Sequence, residues 1–140
     1  MPRRIIRKLE IIPTFRDFDM MGVVHNSVYL DWFERGRFQV MNDIMPFSDM
    51  MKLGVAVAVR QCNYTFEQAV RNDEKLVVIT RHKIDETYTG RLEFTHELIN
   101  EQTKTTHAFC ECICVLINSQ TGELVRNPPD EIRKRYLQLK

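Results

Sequence analysis

The chain has 140 residues, enough for one domain to bury a core without disulfide or metal staples. Twenty basic against nineteen acidic side chains leave a formal charge of +1, which removes the general electrostatic case for a nucleic-acid or membrane partner. The apolar runs are short and broken by charge, and Pro2, Arg3 and Arg4 lead into no secretory stretch, so a cytoplasmic location is expected.

Residues 4–15 carry Ile5, Ile6, Leu9, Ile11 and Ile12 in imperfect alternation, which predicts a first strand with Pro13 near its end. From Ser27 to about Asn42 the period changes. Tyr29, Phe33, Gly36, Val40 and Ile44 follow helical spacing, flanked by Leu30, Trp32 and Met41, while Asp31, Glu34 and Arg35 fall on the other side. So wide an apolar face belongs to a helix packed along most of its length. Gly36 costs such a helix about 1 kcal/mol against alanine, a cost that close backbone approach would offset.

A loop through Pro46 and Gly54 follows, then four strand-like stretches: 55–66, 75–85, 91–100 and 105–118. RNDE, ETYTG, NEQTK and NSQTG mark the turns, and short loops between long strands predict an antiparallel meander. In the second of these strands Val77, Ile79, Arg81 and Lys83 share a face that becomes basic toward its end. Cys110, Cys112 and Cys114 alternate along the last strand, about 6.5 Å apart at the usual rise. Parallel side chains at that spacing pair awkwardly, and no two-residue spacer suggests zinc, so buried thiols are expected and no metal or cofactor. Pro128 and Pro129 precede a short terminal helix with Ile132 and Tyr136 on one side and a solvated charged face. The element order predicts an α+β domain in which one sheet wraps one helix and an oligomer completes the structure.

Asp17, Asp19, His25 and Asn26 gather at the junction of the first strand and the long helix. The first turn of a helix offers unpartnered N–H groups and a partial positive charge, where a developing oxyanion is well stabilised. A carboxylate beside such donors can attack a carbonyl or activate water, which suits thioester hydrolysis because the thiolate needs little help to leave. Two blander readings compete: Asp17 bonds to backbone within the turn, and Asn26 or Ser27 caps the helix.

The segment FRDFDMMGVVHNSVYLDWFERGR resembles the hotdog-fold acyl-CoA thioesterases of the 4-hydroxybenzoyl-CoA thioesterase type, and VAVRQCNYTFEQAVRNDEKLVVITR continues the likeness. The resemblance implies one hotdog domain over residues 1–140, an antiparallel sheet of about five strands around one long central helix, assembled as a homodimer or homotetramer. It places the catalytic carboxylate on Asp19, as nucleophile or general base, and the oxyanion donor on the backbone N–H near Asn26. Gly22, Val23, Val24 and Tyr29 fall on the family's glycine, valine step and tyrosine, and Arg60 and Tyr64 stand in typical places. Phe18 replaces a common threonine, and His25-Asn26 replaces a common Tyr-His, so Asn26 would orient substrate or water with His25 as its neighbour.

For the phosphates of a CoA ester, Arg60, Arg81, Lys83 and Arg91 are candidates as a group. Trp32, Phe33, Met50, Met51, Val57 and Tyr64 are candidates for an acyl slot, with core packing as the competing reading. Glu34 and Arg37, at three-residue spacing, are expected to pair. The function implied is hydrolysis of an acyl-CoA to a carboxylic acid and free CoA. An acyl-carrier-protein thioester as substrate, a non-catalytic acyl-CoA-binding module and a hydratase are the alternatives.

Overall fold

The computed structural model describes residues 3–140; Met1 and Pro2, where a secretory leader would begin, lie outside them. Strand β1 runs Arg4–Ile11 and stops short of the expected residue 15. Pro13 has no N–H for a ladder, and the chain winds instead into a 3₁₀ turn over Phe15–Asp17. Helix α1 spans Asn26–Ile44. A second short helix, α2, Phe47–Lys52, occupies what reads as loop, anchored by buried Met50. The remaining strands are β2 Val55–Phe66, β3 Leu76–Lys83, β4 Leu92–Asn100 and β5 Thr106–Asn118, followed by helix α3, Asp130–Leu137.

All five strands join one antiparallel sheet in the order β1-β3-β4-β5-β2. The expected meander therefore holds for β3, β4 and β5 but not for β2. The 67–75 connection lets β2 cross to the far edge, where Val55 faces Asn118 and Phe66 faces Ala108 along β5. A bulge between Val59 and Gln61 breaks that register and pushes Arg60 out of the alternation.

Helix α1 covers the inner face of the sheet. Tyr29, Trp32, Phe33, Val40 and Ile44 pack against Val78, Phe94, Leu98 and the row Cys110, Cys112 and Cys114, all buried as expected of thiols filling a packed face. Cys62 lies opposite Cys112 with the two sulfurs 2.8 Å apart, and all four cysteines are free. A Cβ at Gly36 would sit 2.6 Å from Thr80 Oγ1 and 2.8 Å from Val78 Cγ1, the close approach anticipated for that glycine. The Glu34–Arg37 pair does not form: Glu34 is exposed, whereas Arg37 is buried with an unpartnered Nη1. The three-residue offset turns Arg37 toward the sheet while Glu34 stays on the solvent side.

Candidate active site

Residues 17–25 fold back on themselves as a small hairpin. Phe18 bridges Val24, Asp19 N–H donates to Val23 O at 2.9 Å, and His25 N–H donates to Asp17 O at 3.0 Å. Gly22, at φ +74°, closes the turn by donating to Asp19 O at 3.1 Å, a left-handed conformation that favours glycine. Asp17 stabilises the turn before the hairpin, since its Oδ2 accepts from Thr14 N–H at 2.7 Å. Asp19 Oδ1 accepts from Met21 N–H at 2.8 Å and from Val23 N–H at 3.3 Å, and among the described residues its Oδ2 has no partner. Backbone thus fixes the orientation of a half-buried carboxylate and leaves one oxygen available.

The hairpin is tied to the 67–75 loop. Val24 N–H donates to Val70 O at 3.1 Å, Val23 bridges Arg71, and Val70 N–H donates to the buried Tyr29 hydroxyl at 3.2 Å. Glu74 fixes that loop in turn, accepting from Arg71 N–H at 2.8 Å and from Asn100 Nδ2 at 2.9 Å, with His107 Nε2 at 2.7 Å. Burial raises the Glu74 pKa, but these hydrogen bonds and the neighbouring His107 bring it below its ordinary value. Val24 and Tyr29 are therefore buried supports of the hairpin.

His25 is the residue before α1, and neither its side chain nor that of exposed Asn26 or Ser27 caps the helix. Among the described residues the N–H groups of Asn26 and Ser27 have no partner, so the helix presents two free donors at its positive end. His25 is exposed.

The four basic candidates separate into two groups. Arg81 and Lys83 line a cavity of about 450 Å³ on the outer face of the sheet, and Arg81 pairs with Glu97 at 3.4 Å. Arg60 and Arg91 line a second cavity of about 260 Å³ together with Arg126. Nothing in the sequence places Arg126 there, because its segment returns to the sheet through tertiary pairing, Ile117 with Leu124 and Val125 N–H to Leu116 O at 2.9 Å. Six strand residues, roughly 20 Å, separate Arg60 from Phe66, whose ring packs on Tyr29 near the start of α1. Asp19 lines neither cavity. Tyr64 stacks on Phe33 with ring centroids 6.2 Å apart. Of the acyl-slot candidates, Trp32, Phe33 and Met50 are core, whereas Met51 and Val57 line a third cavity.

Residues 13–135 match the model of the thioesterase-like superfamily. Over 86 residues the chain is 34% identical to "Putative acyl-CoA thioesterase YneP" of Bacillus subtilis (strain 168), covering 61% of this chain and 60% of that protein. Over 81 residues it is 30% identical to the chloroplastic acyl-acyl carrier protein thioesterase ATL3 of Arabidopsis thaliana, covering 57% of this chain and 42% of that protein. The matched stretch thus spans less than two thirds of either relative. Among solved structures, the fold matches Slr0204, a 1,4-dihydroxy-2-naphthoyl-CoA thioesterase from Synechocystis, at a TM-score of 0.77 and 13% identity over 96% of this chain and 97% of that one.

Proposed function

The chain belongs to the thioesterase-like superfamily, and from that membership we propose that it hydrolyses acyl-CoA thioesters to a carboxylic acid and free CoA in a hotdog-type active site. The observation that carries the reading is the 17–25 hairpin: it holds Asp19 by one carboxylate oxygen and leaves the other without a partner, just before a helix start with two free N–H groups. Asp19 attacks the thioester carbonyl or takes a proton from the attacking water. The N–H groups of Asn26 and Ser27 hold the carbonyl oxygen as it becomes negative. When the carbon–sulfur bond breaks, the electron pair leaves on CoA sulfur, whose thiol class has a pKa of about 8.5 and needs little protonation. His25 and the Asn26 amide sit beside this centre to orient substrate or water.

Arg60, Arg91 and Arg126 are the better-formed phosphate group, since three guanidinium side chains share one concavity. Release of free thiol from short, long and aromatic acyl-CoA esters tests the activity. Turnover of at least one class is expected, and none across the panel would reject the reading. If Asp19 is the nucleophile, water then cleaves the acyl–Asp19 anhydride to release the acid and restore the carboxylate; ¹⁸O found in the Asp19 carboxylate after single turnover in labelled water identifies that route.

A further inference from the structure

His107, the second residue of β5, is 1% exposed and ties down the 67–75 loop from beneath. Its backbone C=O accepts from Glu67 N–H at 2.9 Å and from Gln68 N–H at 3.1 Å. Its ring reaches both ends of the same loop, with Nδ1 2.8 Å from Gln68 O and Nε2 2.7 Å from Glu74 Oε1. A carbonyl oxygen only accepts. Glu74 is ionised and also only accepts: burial raises its pKa, but the hydrogen bonds from Asn100 and Arg71 and the neighbouring His107 bring it below its ordinary value. Both ring nitrogens therefore carry hydrogen, and an imidazole with two N–H groups is a cation. Among the described residues His107 is the one cation within ion-pair distance of Glu74. Tyr29, nearby on α1, brings no competing charge, because burial first and the Glu74 charge after it push its pKa up, against the hydrogen bond with Val70.

The pair is one end of a chain of bonds that reaches Asp19. Glu74 Oε2 accepts from Arg71 N–H at 2.8 Å, Arg71 bridges Val23, and Val70 O accepts from Val24 N–H at 3.1 Å. Val23 in turn holds Asp19 twice: its C=O accepts from Asp19 N–H at 2.9 Å, and its N–H donates to Asp19 Oδ1 at 3.3 Å. Residues 67–75 belong to no strand or helix, so their shape depends on such anchors. Removing either partner of the pair leaves the other buried group uncompensated and loosens the loop at that point.

We propose that Glu74 and His107 are positioning residues for the Asp19 carboxylate: their ion pair locks the 67–75 loop, and the loop holds Val23 and Val24, which fix Asp19. This role rests on the thioesterase reading for the reaction it serves, whereas the clamp itself is measurable without any thioester.

Long-range ¹H–¹⁵N spectra of the full chain near neutral pH test the charge on His107. An imidazolium signature is expected, and a single neutral tautomer would overturn the ion pair. Hydrogen exchange tests the clamp in two variants. Glu74→Gln keeps the side-chain volume but sets an NH₂ group among partners that are all donors, at a side chain 21% exposed and so with little risk to the core. His107→Gln removes the charge and the ring's tie to Gln68. In both, the Asp19 and Val24 amides should exchange at least about tenfold faster, with the amides of β3 and β4 unchanged. Thiol release by Glu74→Gln should show kcat lowered on the order of tenfold to a hundredfold and KM within about threefold of wild type, because the loss falls on the placement of Asp19. Wild-type exchange at Asp19 and Val24 in both variants, or equal acceleration throughout the sheet, would overturn the proposal. So would faster exchange in the hairpin with kcat unchanged. A wild type that releases no thiol from any acyl-CoA would reject the thioesterase reading, and the exchange rates would then decide the clamp by themselves.

Discussion

His96 shows how one buried side chain sets a pH dependence. It lies between the rings of Phe33 and Phe94, its Nδ1 is 3.0 Å from Thr80 Oγ1, and burial first, then the Arg37 charge, pushes its pKa down to about 3. The folded protein therefore holds it neutral, while the unfolded chain protonates it near pH 6.5. Its contribution to stability is complete above that pH and falls away as the pH drops toward the folded value. Urea unfolding should lose about 2 kcal/mol between about pH 7 and pH 5 from this residue alone. His96→Asn should flatten that slope; an unchanged slope would contradict the assignment. His82, lowered chiefly by burial, adds a loss of the same sign. Tyr29→Phe belongs to this scale too, because it strands the Val70 N–H that the hydroxyl now accepts from. A loss of roughly 1–3 kcal/mol is expected by denaturant titration. Neither effect is legible in the sequence, because Thr80 and Val70, the partners of His96 and Tyr29, are brought beside them only by the fold.

At the scale of elements, Gly36 decides how closely α1 approaches β3. Alanine there would gain about 1 kcal/mol of helix propensity. Its Cβ would also meet Thr80 Oγ1 at 2.6 Å and Val78 Cγ1 at 2.8 Å, both on branched side chains with little freedom to move. Overpacking of roughly 1–3 kcal/mol should win, so Gly36→Ala is expected to unfold at lower denaturant, and equal stability would contradict the close packing. The sequence foretold this contact because a glycine at the centre of an apolar helix face gives up helix propensity that close packing must offset. It foretold β2 to β5 within a residue or two as well, because clear turn signals bound them. The place of β2 beside β5 was not legible, since local pattern fixes where strands begin and end but not which edge a connection carries them to. Helix α2 escaped because six residues carry too little periodicity. The site was half legible: the spacing of Asp19 and Asn26 stands out, while the backbone bonds that hold Asp19 arise only when the hairpin closes.

At the scale of the whole molecule, β2 is an edge strand of twelve residues whose outer side is unpaired among the described residues, with Gln61, Asn63 and Thr65 exposed along it. Such an edge is a template for a second chain, and a homodimer or homotetramer is expected. Equilibrium sedimentation giving only the mass of a single chain would contradict it. The fold supports the hairpin: the sheet holds α1, the hairpin leads into the first turn of α1, and the 67–75 loop anchors the hairpin at Val23 and Val24. The most direct measurement is thiol release from an acyl-CoA panel by wild type and Asp19→Asn, with the oligomer and thermal unfolding of the variant checked alongside. Loss of at least about a hundredfold in turnover, with fold and assembly retained, is the expected result. Wild-type-like turnover in Asp19→Asn would contradict the account.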